Sequence, residues 1–288
     1  MIMFVIPEGS ITGKGSNQVI SMLHFYLENY GLGESEAVLN ADNCVGQNKN
    51  QFVMSYLCWR VLSGLHKKIR LHFLVVGHTK FSPDYGAVVF KKLFRRTPCA
   101  VPEDVADCAK KSTILESVIT GSTDGKQSFV PMYDWQTKFS KFKAVPNLKK
   151  FHLFEFSSDK PGIVTCQEHS NAAPVTFTIV GSEYSNTSLT PVLPALGLSD
   201  KRQSYLYEKI RQFVLEDKRD LLCPLPARMV EADHEQQQVD QEESEEQQVN
   251  VNEQQQQQNE ESVELQSSKA GKLCDFCCLL DYFQMCLL

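Results

Sequence analysis

The sequence predicts an α/β protein with helices covering a sheet, followed by a smaller α+β part and a tail of different composition. Three observations lead to this prediction. Apolar runs of strand length alternate with amphipathic stretches over the first hundred residues. Three short runs typical of strands follow between residues 151 and 181. Residues 229–270 contain no aromatic residue and are rich in Glu and Gln.

The first domain, residues 1–97, shows the order β-α-β-α-β-α. Strands are predicted for MIMFVI, EAVLNAD and KIRLHFLVVGH, and amphipathic helices for the two segments between them. A third helix, SPDYGAVVFKKLFRR, has Ser82 as its expected N-cap and Pro83 in its first turn. Because parallel strands need crossover connections, this order favours a parallel sheet covered by helices.

The second part, residues 98–228, is predicted to be a small α+β extension. We expect VPEDVADCAKKSTILESVI to be helical and MYDWQTKFSKFKAV to be a short amphipathic stretch. FHLFEF, GIVTCQE and VTFTIVG predict an antiparallel meander. A closing helix is predicted to begin at Ser199 or Asp200 and to end before Pro224 and Pro226.

The segment 229–270 is predicted to be disordered, since it has too few apolar residues to offset the entropy of ordering. Residues 231–268 contain twelve acids and no Lys or Arg, while the charges of residues 269–288 cancel. The chain's net charge is −6. Residues 1–230, which precede the acidic stretch, therefore carry a net charge of +6. A basic body of this kind is compatible with a polyanionic partner.

The last segment, residues 271–288, is apolar and rich in Cys. Three interpretations stay open: a zinc half-site at Cys274 and Cys277, a short sticky or acylated tail, or an unselected read-through end. No apolar run reaches the ~18–20 residues that cross a bilayer, so no membrane span is expected. Because the ten cysteines lack the spacing of a disulfide scaffold, we expect a reducing compartment, nuclear or cytoplasmic.

Two polar clusters follow predicted strands and form the candidate metal site. Asp42 follows the second strand, while His78 and Asp84 follow the third. The carboxyl ends of parallel strands meet at one edge of a sheet, where carboxylates and an imidazole could hold Mg²⁺ or Mn²⁺. The alternatives are turn and N-cap chemistry at Asp42, a core histidine at His78 and a first-turn acid at Asp84.

The candidate nucleic-acid contacts are amides after Asp42 and a downstream basic run with aromatic residues between the cations. Amides can donate and accept at base edges, and lysines can contact phosphates. The candidates are Asn43, Gln47, Asn48, Lys49, Lys91, Lys92, Arg95, Arg96, Lys138, Lys141 and Lys143. The alternative is a solvated helix face over an aromatic core.

Two blocks, DNCVGQNKN and GHTKFSPD, resemble those of a transposon-derived domain family spread through animal genomes. The resemblance covers residues 4–217. It implies a ribonuclease H-like mixed sheet with flanking helices, the fold of DDE transposases and retroviral integrases. It also implies that Asp42 and Asp84 are the second and third acids of the site, with His78 as an accessory ligand.

The same resemblance implies that the first two strands and their acid lie upstream of Met1. Glu8 follows its strand in a turn and is a poor substitute. We therefore expect weak Mg²⁺ or Mn²⁺ binding and impaired catalysis. Two functions stay open: a metal-dependent nuclease or transposase, and a non-catalytic domesticated module that binds nucleic acid, such as DNA, or protein.

Overall fold

A computed structural model describes residues 2–13, 15–74, 82–112, 116–181, 184–226 and 283–287, with only the backbone for 82–84 and 283–287. The chain divides into two compact units. The first comprises Met1–Gly197 and Phe283–Leu288, and the second is Leu198–Tyr282. The acidic stretch 231–268, Cys274, Cys277 and His78 lie outside the described residues.

The first unit combines strands and helices, which confirms the predicted mixed α/β class with a mixed sheet and flanking helices. Its strands are β1 Ile2–Pro7, β2 Glu36–Ala41, β3 Lys68–Phe73, β4 Glu116–Ile119, β5 Leu153–Ser157, β6 Ile163–Gln167, β7 Val175–Thr178 and β8 Phe283–Leu287. Its helices are α1 Ser16–Asn29, α2 Gln51–Leu62, α3 Ser82–Phe94, α4 Pro102–Lys111 and α5 Trp135–Lys138.

The larger sheet has the strand order β2-β3-β5-β6-β7. β2 and β3 are parallel neighbours from Glu36↔Lys68 to Ala41↔Phe73, with α2 between them in sequence. β5, β6 and β7 form the predicted antiparallel meander, and β5 pairs antiparallel with β3. β3 and β5 lie on opposite sides of residue 97 in the sequence and are hydrogen-bonded to each other. The domain boundary expected at residue 97 therefore lies inside one compact unit.

The smaller sheet has the order β4-β1-β8 and corrects two sequence predictions. β1 is not in the sheet of β2 and β3; it is parallel to β4 and antiparallel to β8. β1 therefore has a partner strand on each side, and all six of its residues are buried. Residues 116–119, expected to be helical, form β4, because their apolar Val118 and Ile119 pair with β1.

An aromatic core joins α1, α2 and α5 in the first unit. Trp135 and Phe139 stack at 5.8 Å between ring centroids, and Tyr56 and Trp59 approach Trp135 at 5.1 and 5.5 Å. The rings of the predicted basic run that are buried are Phe90, Trp135, Phe139 and Phe142. These rings therefore belong to the core and do not offer faces on which bases could stack.

The second unit is described only up to residue 226, where it consists of short helical turns. Ser199 is the N-cap of α6, Asp200–Tyr205, and its side chain accepts a hydrogen bond from Arg202 N. The predicted closing helix is interrupted before α7, Arg219–Leu222, by π and 3-10 turns. Over the described residues, no helix is long and apolar enough to cross a membrane.

Candidate functional site

The loop of residues 42–50 joins the carboxyl end of β2 to α2 and is held by its own polar side chains. Asp42 Oδ1 accepts hydrogen bonds from the Cys44 backbone N–H at 3.0 Å and from Asn48 Nδ2 at 2.7 Å. The Cys44 carbonyl accepts from the backbone N–H of Asn48 and Lys49. An aspartate that folds its own loop in this way is typical of turn chemistry.

Two amides connect this loop to its neighbours. Asn50 is the N-cap of α2: its Oδ1 accepts from the backbone N–H of Phe52 and Val53 at 3.0 and 3.2 Å. Asn43 Nδ2 donates to the carbonyl of Leu74, directly after β3. The loop is thereby fixed at the edge of the sheet where β2 and β3 both end.

Lys49 is the buried cation of the loop, with 3% of its surface exposed. Its Nζ donates to Asn43 Oδ1 at 2.9 Å and to the Lys149 carbonyl at 3.1 Å, and lies 5.0 Å from the Phe73 ring centroid. Burial lowers the pKa of Lys49 below its ordinary value. Among the described residues, no carboxylate forms an ion pair with Lys49, so only neutral groups compensate its charge.

A depression of about 590 Å³ that is open to solvent, called here the cavity, lies between the 42–50 loop and residues 144–150. Its polar lining comprises three lysines and three carboxamides: Lys49, Lys149, Lys150, Asn50, Gln51 and Asn147. Its apolar lining is Val45, Phe52, Ala144, Val145 and Leu148. The lining contains no acid, so its charged side chains are all basic.

The segment 138–150, called here the basic segment, forms one side of this cavity with six residues between positions 144 and 150. It contains five lysines and no acid. Lys141, Lys143, Lys149 and Lys150 are exposed, and none of them forms an ion pair with a residue that the structure describes. The segment turns at Asn147, whose φ of 53° lies in the left-handed region that Asn tolerates better than most residues.

Lys138 differs from the other lysines of the basic segment because its ammonium already has partners. Lys138 Nζ donates to the carbonyls of Ser188 and Asn186 at 2.6 and 3.4 Å. It also lies 5.1 Å from the Trp59 ring centroid, and burial lowers its pKa. Lys138 therefore fixes residues 186–188 against the core.

A family model described as "Domain of unknown function (DUF7869)" matches residues 9–173, more than half of the 288-residue chain. The chain belongs to the DUF7869 family. No curated protein and no solved structure matches it. The matched DUF7869 residues include the whole 42–50 loop, the basic segment and every residue that lines the cavity.

The DUF7869 domain brings together only part of the predicted metal site. The expected parallel pairing of the strands before Asp42 and His78 is confirmed for β2 and β3. His78 and the side chain of Asp84 lie outside the described residues, so their separation from Asp42 stays a prediction. Over the residues with described side chains, there is no group of three or more His, Cys, Asp or Glu able to hold a metal ion.

The predicted nucleic-acid residues fall into three sets in the DUF7869 domain, one of which is Lys138, Lys141 and Lys143 of the basic segment. Lys91, Lys92, Arg95 and Arg96 are exposed on α3 and the turn after it, and they do not line the cavity. Asn43, Gln47, Asn48 and Lys49 form part of the 42–50 loop. The cavity itself was not predicted, because its two sides are about 100 residues apart in the sequence.

Proposed function

We propose that this chain is a nucleic-acid-binding module, with the basic segment and the 42–50 loop as its contact surface and DNA as a partner. The observation that carries the proposal is the set of exposed lysines at positions 141, 143, 149 and 150, unpaired with any described acid. Phosphates supply the counter-charge that such lysines lack, and need no metal to do so.

The loop adds polar groups beside these cations. Lys49 Nζ joins it to the basic segment through the Lys149 carbonyl, at 3.1 Å. The ribonuclease H-like, transposon-derived character implied by the resemblance belongs to the same proposal. The parallel β2–β3 pair with Asp42 at its carboxyl end supports that character. A nuclear or cytoplasmic location would accompany this function.

Charge removal at Lys149 and Lys150 is expected to weaken binding and to reduce its salt dependence. The plot of log K against log[salt] has a negative slope. Each lost phosphate contact reduces the magnitude of that slope by about 0.9 for duplex DNA or about 0.7 for a single strand. A Lys149→Gln/Lys150→Gln variant should therefore lose roughly 1.4–1.8 of that slope. Fluorescence anisotropy with labelled oligonucleotides over a salt series measures this slope. A Lys141→Gln/Lys143→Gln variant should show the same reduction in slope.

The matched control is Lys126→Gln, because Lys126 is exposed but forms an ion pair with Asp124 at 3.4 Å. Its affinity and salt slope should equal those of the unchanged chain. The proposal is wrong if no oligonucleotide binds at the lowest salt concentration. It is also wrong if the Lys126 variant loses as much slope as the Lys149/Lys150 variant.

A second candidate function is metal-dependent phosphoryl transfer, favoured by the position of Asp42 beside the end of β3. Over the described residues, Asp42 is not part of a group of metal-binding side chains, and its Oδ1 already accepts two hydrogen bonds. Among the described side chains, one carboxylate alone does not make up the donor set of a two-metal site. Our proposal therefore contains no step through Mg²⁺ or Mn²⁺.

For this second candidate, we expect the purified chain to cleave labelled DNA or RNA with Mn²⁺ only at the background rate. The control is Asp42→Asn, which keeps an Oδ1 acceptor for the Cys44 N–H and so preserves the loop. Gel analysis of the products compares the two proteins. Robust cleavage that the variant lacks would make catalysis, and not binding alone, the function of this chain.

A further inference from the structure

We propose that the cavity beside the 42–50 loop binds one nucleotide unit, with its phosphate at Lys149 and Lys150 and its base and sugar along the apolar side. The inference rests on the proposed function, because it specifies which part of a nucleic acid this surface would take. The shared chemistry is a nucleoside monophosphate, either free in solution or at the end of a strand.

The size of the cavity agrees with this class of ligand. Pockets for small organic molecules and cofactors have volumes of about 300–1,000 Å³, and this one has a volume of about 590 Å³. Such pockets combine an apolar lining with a few polar groups that fix orientation. The five apolar and six polar residues around this cavity provide both kinds of surface.

The charge of the lining favours an anion. Lys49, Lys149 and Lys150 are the charged residues of the lining, and Lys49 is almost fully buried with neutral acceptors only. Buried charges are costly unless they are paired. A phosphate at the exposed ammonium groups of Lys149 and Lys150 would bring a negative charge near Lys49.

The rest of the lining favours a nucleotide over a simple inorganic anion. Phe52 and Leu148 are half-buried at the cavity, and aromatic faces can stack on bases. Gln51 and Asn147 have exposed carboxamides that can donate to and accept from a base edge. Inorganic phosphate would use the lysines and leave this side without contacts.

The test fills the cavity without changing its charge. Ala144 is exposed and lines the cavity, so an Ala144→Trp side chain can occupy the space without entering the core. Isothermal titration calorimetry of the full chain would use four probes: dAMP, dTMP, deoxyadenosine and inorganic phosphate. Thermal melting would check that Ala144→Trp and Lys149→Gln/Lys150→Gln fold like the unchanged chain.

We expect dAMP and dTMP to bind more tightly than deoxyadenosine or inorganic phosphate. Both variants should weaken nucleotide binding at least about tenfold, which corresponds to about 1.4 kcal/mol. Lys126→Gln should bind as the unchanged chain does. Undetectable nucleotide binding, or equal binding to Ala144→Trp, would overturn the inference.

Oligonucleotides with and without a 5′-phosphate separate the two sources of the ligand and the two proposals. If the phosphorylated strand binds more tightly and Ala144→Trp removes this difference, the cavity binds the end of a strand. If the 5′-phosphate makes no difference but dAMP binds, the ligand of the cavity is a free nucleotide. If oligonucleotides bind Ala144→Trp as they bind the unchanged chain and dAMP does not bind, the cavity inference fails and the proposed function stands. If dAMP binds and oligonucleotides do not, the proposed function fails alone.

Discussion

Replacing Trp135 by Ala should lower the free energy of unfolding by about 3–5 kcal/mol, the range for large aromatic residues in cores. Trp135 has no exposed surface and contacts the rings of Tyr56, Trp59 and Phe139. Its Nε1–H donates to Ser21 Oγ at 3.0 Å. Truncation would remove this hydrogen bond and leave a cavity where the core elements meet.

The matched control is Trp135→Phe, which keeps an aromatic ring but loses the N–H group. Since Ser21 Oγ still accepts from the Tyr133 backbone N–H at 2.9 Å, this variant should cost only roughly 1–2 kcal/mol. Urea unfolding followed by circular dichroism and by the fluorescence of Trp59 measures both. A loss below about 1 kcal/mol for Trp135→Ala would show that the core does not depend on this ring.

The sequence predicts the elements whose signals are local. β1, β2 and β3 alternate with α1 and α2, and each element contains enough periodic residues to define its type. β4 was missed because it has four residues, follows α4 closely and pairs with β1 more than a hundred residues earlier. Nothing in a short local pattern specifies a partner at that distance.

The polar loop was predictable in its chemistry but not in its contacts. The alternative of turn and N-cap chemistry at Asp42 agrees with the two hydrogen bonds that its Oδ1 accepts. The cavity was not predictable, because Lys49 and Lys149 meet across 100 residues of sequence. Alternation of Lys and Phe at 138–143 allowed base stacking, whereas the structure buries Phe139 and Phe142.

Acidification from about pH 6.5 to about pH 4 should lower the free energy of unfolding by about 3 kcal/mol through one histidine. The pKa of His24 is lowered from 6.5 to about 4, mainly by burial and also by the charge of Arg60, while Glu28 opposes the shift. Between these two pH values the unfolded chain binds more protons than the folded chain. The contribution of His24 to stability is therefore fully present above about pH 6.5 and is lost as the pH falls towards about 4.

The buried network around Arg60 explains why His24 stays neutral in the folded chain. Arg60 is 2% exposed; its Nη1 lies 3.1 Å from His24 Nδ1, donates to Tyr56 Oη at 3.1 Å and pairs with Glu28 at 2.9 Å. Its Nε donates to His66 Nδ1 at 3.3 Å. Burial lowers the pKa of His66 as well, so protonation of His66 adds to the loss in the same direction.

The variant that isolates this effect is His24→Gln, which can keep an acceptor for Arg60 but cannot titrate. Between about pH 6.5 and pH 4, the unchanged chain should lose about 3 kcal/mol more of its unfolding free energy than His24→Gln loses. His169→Gln removes an exposed histidine and serves as the control for losing an imidazole outside the buried network. Urea unfolding at a series of pH values gives all three curves. If the His24→Gln curve runs parallel to that of the unchanged chain, His24 is not the group whose protonation destabilises the fold.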